Sequence, residues 1–151
     1  MRVMNEDDVW ARLYHVPDPE IPEVNIVELG MVSDVRVTQH TVQITLRPPF
    51  AACPLLEWFR RRIAEALFPA PVWIQYRLTD WWAAESISEV TRQKLMASGI
   101  YAPRYNEGMT VHCPFCESAL VDCTHPVGHA PCRALYYCHA CHRPFEVWKL
   151  S

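Results

Sequence analysis

Cys113-Pro-Phe-Cys116 is answered by Cys138-His-Ala-Cys141, with twenty-one residues between the two pairs. No other feature of the chain limits so tightly what it can fold into. A Cys-x-x-Cys step wraps a tight knuckle that presents two thiolates to one ion, and two such knuckles complete a tetrahedral four-sulfur shell. The stretch between them is long enough to run out and return as a hairpin. The spacing predicts a zinc ribbon over residues 109–151, with the metal held by Cys113, Cys116, Cys138 and Cys141. Four thiolates also hold iron in this geometry, so residue type alone leaves iron open. A closed four-thiolate shell offers a substrate no coordination position. The metal is therefore expected to be structural, its binding energy becoming folding energy for a module with a thin core.

The ribbon carries further ligand types: Cys123, Cys132 and histidines 112, 125, 129, 139 and 142. His112 and His139 adjoin the knuckles, and either could stand in for a cysteine. Cys132, expected near the second knuckle, reads either as a small buried hydrophobe or as an additional ligand for a second metal or an iron–sulfur fragment. Tyr136, Tyr137, Phe145 and Trp148 are large rings that supply a small module with a core. Arg133, Arg143 and Lys149 are matched in number by Glu117, Asp122 and Glu146. A ribbon that grips phosphates needs a basic surplus, which argues against a nucleic-acid partner.

The whole chain has 151 residues, half of them hydrophobic, and a formal net charge of −3. It is long enough for one domain of about a hundred residues plus a metal-stapled module. Its apolar runs fall short of the roughly 20 residues that span a bilayer, and no polybasic segment favours a membrane surface. The first eight residues lack the apolar core of a signal peptide, so a cytoplasmic location is expected. In that reducing compartment the seven cysteines favour metal or thiol chemistry over disulfides.

Periodicity divides the chain into a first domain over 1–80, a linker with one helix over 81–108, and the ribbon. Asn5 can cap a helix with an acidic first turn, and Val9, Leu13 and Val16 form its apolar stripe before Pro17 and Pro19 end it. Val35–Val37 and Val42–Leu46 alternate around a short turn, which predicts a hairpin. Pro54 suits the first turn of a helix with Leu56, Phe59, Ile63 and Leu67 inward and Arg60, Arg61 and Arg62 outward, either as a partner patch or as a solvated face. Val72, Ile74, Tyr76 and Leu78 alternate as a last strand. The mixture predicts an α+β domain. In the linker, Ser86-Ile-Ser-Glu89 fits a capping box and Gly99 a left-handed stop. Trp81 and Trp82 precede that helix.

Cys53 falls at the expected cap of the Pro54 helix, where free N–H groups and the helix dipole favour thiolate, readying it for soft metal or an electrophile. A partly buried structural cysteine is the plainer reading of the residue alone. Combined with Asp18-Pro-Glu20-Ile-Pro and Asn25-Ile-Val-Glu-Leu-Gly-Met-Val32, however, it resembles the SufT-like domain of iron–sulfur cluster assembly over about residues 8–79. The order of that domain, a helix ending Ser98-Gly-Ile100, Cys113-Pro-Phe-Cys116 and then Cys132 through Phe145 resembles the PaaD family (also called PaaJ) over nearly the whole chain. One departure is the run Arg47-Pro-Pro-Phe-Ala-Ala-Cys53, which is bulkier than the Thr- and Gly-containing run common before this cysteine.

The resemblance implies a small SufT-like α/β sandwich and a non-enzymatic accessory protein of the aerobic phenylacetate pathway. Such a protein would assist maturation of metal centres in the multicomponent phenylacetyl-CoA epoxidase, with the iron–sulfur reductase as client. It would place Asp18, Glu20 and Cys53 at a cluster-assembly site, where a transient iron–sulfur cluster is expected, and Cys132 in the matched stretch. Two other functions compete: a zinc-ribbon module that binds protein without cluster chemistry, and a thiol enzyme with Cys53 as nucleophile and Asp18 or Glu20 as acid or base. The enzyme needs a positioned base, and His15, the nearest candidate, lies where the first helix should end.

Overall fold

Asn5 starts the first helix, α1 (Glu6–Leu13), by reciprocal capping: its Oδ1 accepts from the Asp8 N–H at 2.8 Å and the Asp8 carboxylate accepts from the Asn5 N–H at 3.1 Å. Val9, Leu13 and Val16 are buried along one side, as the stripe predicts. The computed structural model describes residues 4–48, 55–77, 87–104 and 110–149. Cys53, Pro54, Leu78, Trp81, Trp82 and Ser86 lie outside the described residues. The chain divides into two units, Met1–Trp82 and Ala83–Ser151.

In the first unit, β1 (Val32–Val37) and β2 (Val42–Leu46) form the expected hairpin, and α2 (Leu56–Leu67) then leads to β3 (Val72–Tyr76). The sheet order is β1-β2-β3, with β3 parallel to β2, an arrangement that requires the intervening crossover helix. A register shift between Val32 and Asp34 inserts an extra residue, which lets Val32 and Val35, three apart, both be buried. Phe59, Ile63 and Leu67 are buried along α2, and Leu56 is only partly so. Arg60, Arg61 and Arg62 are exposed; Arg60 pairs with Glu57 and Arg62 with Glu65 one turn away, as on a solvated helix face.

The second unit comprises α3 (Glu89–Ala97), β4 (Ile100–Tyr101), β5 (Val121–His125), β6 (Arg133–Cys138) and β7 (Pro144–Trp148), with sheet order β4-β7-β6-β5. The cap of α3 is Ser88, whose Oγ accepts from the Thr91 N–H at 3.2 Å, so the capping box expected from Ser86 is not the one that starts the helix. Gly99 takes the left-handed conformation (φ 78°) and stops the helix as expected. Ile100 and Tyr101 then pair in parallel with Glu146 and Val147. The stretch between the two expected domains thus supplies an edge strand to the ribbon sheet. Tyr101, Phe145 and Val147 pack with Cys113 and Cys138 in one buried cluster, so the cysteines are themselves part of the core. Among the described residues no helix is long and apolar enough to cross a membrane.

Candidate metal centre and loop site

The two knuckles have the same backbone construction. In the first, the Glu117 N–H donates to the Cys113 carbonyl at 2.9 Å and the Cys113 N–H to the Ser118 carbonyl at 2.9 Å. In the second, the His142 N–H donates to the Cys138 carbonyl at 2.9 Å and the Cys138 N–H to the Arg143 carbonyl at 3.0 Å. Each turn needs a left-handed residue directly after its second cysteine, and Glu117 (φ 63°) and His142 (φ 60°) take that role without being glycine. Such a conformation costs a side-chain-bearing residue about 1–2 kcal/mol, which a bound metal easily outweighs. Cysteine spacing predicts the knuckles but not these two positions, because glycine is the usual signal.

The turns bring the sulfurs of Cys113, Cys116, Cys138 and Cys141 within 4.8 Å of one another. Cys113 and Cys141 are 3.6 Å apart, as are Cys116 and Cys138. Zinc–sulfur bonds of about 2.3 Å directed to the corners of a tetrahedron set sulfur–sulfur edges of about 3.8 Å. The residues fit the ion. Backbone N–H groups of Phe115 and Cys141 point at the sulfurs of Cys113 and Cys138 at 3.4 and 3.5 Å, and such donors stabilise thiolate charge. The cage is closed by four protein ligands, so its ion holds the ribbon together and offers no open position for chemistry.

Without an ion, four neighbouring thiols cannot all be charged. The backbone N–H of Cys141, helped by that of Ala140, lowers Cys138 to about 6. Burial, and then hydrogen bonds from the neighbouring thiols, push Cys141 up to about 12. Zinc must displace the protons that remain, so its apparent affinity rises with pH. Near neutrality Cys138 is already ionised in the metal-free form. Below about pH 6 its proton must be displaced as well, and affinity should fall more steeply with acidification there than at neutral pH. Chelator competition across this range measures the slope; a slope unchanged through pH 6 would contradict this assignment of the first thiolate.

The ribbon histidines are engaged elsewhere. His139 Nε2 lies 2.6 Å from an Asp122 carboxylate oxygen, and His142 Nδ1 lies 3.2 Å from the Tyr137 hydroxyl. The His112 ring sits against Tyr101, and His125 closes its own turn at Val127. His129 meets Glu146 at 2.8 Å, and Glu146 also lies 3.5 Å from buried Arg133. Cys123 is exposed on β5 opposite Tyr136. Cys132 is not near the second knuckle as expected. It precedes β6, at the opposite end from Cys138, and six residue steps along the strand set the two about 20 Å apart. Its carbonyl accepts from Lys149, and it takes no part in the four-sulfur cage.

The loop between α1 and β1 carries the other candidates. Asp18 is buried, and its Oδ1 accepts from the backbone N–H groups of Glu20 and Ile21 at 2.9 and 3.0 Å. That oxygen shapes the loop and is not poised as a base. Glu20 is exposed. Asn25, whose own role the sequence motif does not reveal, caps the next turn: its Oδ1 accepts from Val27 and Glu28, while the Glu28 carboxylate accepts from the Asn25 N–H. The Asn25-x-x-Glu28 spacing was the available signal. Gly30 ends this turn at φ 70°. Cys53 lies outside the described residues, so Asp18 and Glu20 cannot be related to it by distance. The cap of α2 is Leu55, which makes no side-chain capping bond, so Cys53 falls two residues ahead of the cap position expected for it.

Residues 6–71 match a family model described as iron-sulfur cluster assembly protein, and residues 103–149 match the PaaD zinc beta ribbon domain. The chain is 31% identical over 150 residues to an Escherichia coli (strain K12) protein whose name makes it a subunit of a "Putative 1,2-phenylacetyl-CoA epoxidase", covering 94% of this chain and 91% of that one. The chain belongs to the PaaD family. Among solved structures it resembles a DUF59 domain of unknown function from Bacillus anthracis (25% identity, TM-score 0.55, 60% of this chain and 90% of that one). A conserved hypothetical protein from Thermotoga maritima shares the fold (23% identity, TM-score 0.54, 63% and 97% covered). The PaaD ribbon match agrees with the four-cysteine cage, so zinc in four thiolates is the metal centre of this family member.

Proposed function

We propose that this PaaD-family chain is a non-catalytic, cytoplasmic accessory protein that assists maturation of iron–sulfur centres in a phenylacetyl-CoA epoxidase, with the iron–sulfur reductase component as its client. The observation that carries the reading is the union, in one chain, of a cluster-assembly domain and a ribbon whose metal cage is closed. A sealed structural zinc supplies a rigid module and leaves iron handling to the first unit, where Cys53, Asp18 and Glu20 are the proposed site. Asp18 holds the loop shape, Glu20 presents a carboxylate at its surface, and Cys53 supplies a soft ligand. The reading as a thiol enzyme is weaker because the Asp18 carboxylate is engaged by two backbone N–H groups and His15 is exposed at the end of α1. Cells lacking the chain should assemble an epoxidase of low activity whose reductase component is isolated with reduced iron. Normal activity and normal iron in such cells would sink the proposal.

A further inference from the structure

Among the described residues, β3 is the one sheet edge with no device against pairing with another chain. The other edge of its sheet, β1, has a bulge between Val32 and Asp34 and the charged pair Asp34 and Arg36. In the ribbon sheet, edge strand β5 has a bulge between Cys123 and His125 and the charge of Asp122, and β4 at the other edge is two residues long. Short strands, bulges and charges keep a sheet from being extended at its open side. β3 reads Val72-Trp73-Ile74-Gln75-Tyr76, without a charge, a proline or a register shift against β2.

Its backbone is open on one side. The Val42 N–H donates to the Pro71 carbonyl at 2.9 Å and the Arg77 N–H to the Leu46 carbonyl at 2.8 Å, so the odd-numbered residues here bond to β2. Bonding alternates along a parallel ladder, which turns the N–H and C=O groups of Val72, Ile74 and Tyr76 outward. No described strand meets them there. The side chains are incompletely covered as well. Tyr76 faces α2, its hydroxyl donating to the Leu56 carbonyl at 3.3 Å. On that face Val42, Ile44 and Leu46 of β2 are buried, whereas their neighbours Val72, Ile74 and Tyr76 are only partly so. On the other face Trp73 is 66% exposed.

We infer that β3 pairs antiparallel with β3 of a second copy of this chain, about a twofold axis at Ile74, joining two β1-β2-β3 sheets into one. The strand is complementary to itself in that register. Val72 meets Tyr76 of the second copy and Ile74 meets its counterpart, all through outward-facing groups, which gives about six hydrogen bonds. Val72 against Tyr76 is a favourable pairing of a β-branched with an aromatic side chain. Trp73 falls against Gln75 in the intervening pairs, where side chains approach most closely. Arg77 falls against Pro71 and not against a second arginine. A strand of another protein would gain the same backbone bonds; the self-match of side chains and charge selects a second copy. The inference is independent of the maturation reading.

Sedimentation of the full-length, zinc-loaded protein from about 1 to 500 μM should show a reversible monomer–dimer equilibrium, as an interface near the lower size limit gives. Residue-resolved hydrogen exchange should slow at Val72, Ile74 and Tyr76 as the dimer fills, and less at Trp73 and Gln75, which already bond to β2. Trp73→Lys should weaken the dimer more than about tenfold, because it removes an aromatic anchor and places lysine on the edge. Zinc content, and melting temperature in dilute solution, should stay unchanged. A monomer throughout the range overturns the inference. So does a dimer that ignores Trp73→Lys and leaves the three amides exchanging at the monomer rate, since another surface would then hold it. Protection of these amides that appears only when an epoxidase component is added would put a foreign strand on the edge, and would also overturn the second copy. The exchange measurement uses the wild type and decides the matter even if the variant fails to fold.

Discussion

Cys116→Ser should unfold the ribbon while sparing the first unit. One missing thiolate opens the four-sulfur cage, and structural zinc supplies such modules with about 10–16 kcal/mol at neutral pH. That exceeds or equals the total stability of an ordinary domain, roughly 5–15 kcal/mol, so the module cannot absorb the loss. The effect should extend beyond β5, β6 and β7. Tyr101 packs in the cluster that contains Cys113 and Cys138, and β4 is paired to β7, so protection at Ile100 and Tyr101 should disappear together with that of the hairpin. Hydrogen exchange resolved by peptide, with zinc stoichiometry, checks this. Full zinc content and unchanged exchange in the variant would mean that Cys116 is not a ligand.

Much of this ribbon was legible in the sequence because coordination geometry is a local property. Two Cys-x-x-Cys steps dictate two knuckles, and one ion dictates that the knuckles meet. Helix α1 was legible for the same reason: Asn5 and Asp8 are three residues apart, and Val9, Leu13 and Val16 keep the helical period. What stayed hidden is long-range or side-chain specific. The parallel pairing of Ile100 and Tyr101 with Glu146 and Val147 joins segments some forty-five residues apart and leaves no periodic trace in a two-residue strand. The bulge at Val32 to Asp34 breaks the alternation that strand reading relies on. Nearness in sequence to Cys138 suggests nearness in space for Cys132, yet a strand carries each residue about 3.3 Å further away. Asp18 has the residue type of a base, and only its two backbone donors reveal a loop-forming carboxylate.

The second large effect is expected from Cys53→Ser, and it should be functional and not structural. Serine keeps the size and removes the soft sulfur, and the position lies ahead of Leu55, the cap of α2, so the helix itself need not respond. Melting temperature and bound zinc should stay near wild type. In cells without the natural protein, the variant should fail to restore epoxidase activity, and the reductase component should be isolated short of iron. The comparison must be made at matched protein abundance, because a loss of about 1–2 kcal/mol alone lowers abundance several-fold. Full restoration by the serine variant would take Cys53 out of the mechanism and leave docking onto the oxygenase as the contribution of this domain.

The most direct measurement is the rate at which an iron-free reductase component of the epoxidase regains its cluster from ferrous iron and sulfide, under anaerobic conditions, with and without stoichiometric zinc-loaded protein. Rebuilding should be clearly faster with the wild-type chain, and the acceleration should vanish with Cys53→Ser. Equal rates with and without the chain would contradict a role in maturation.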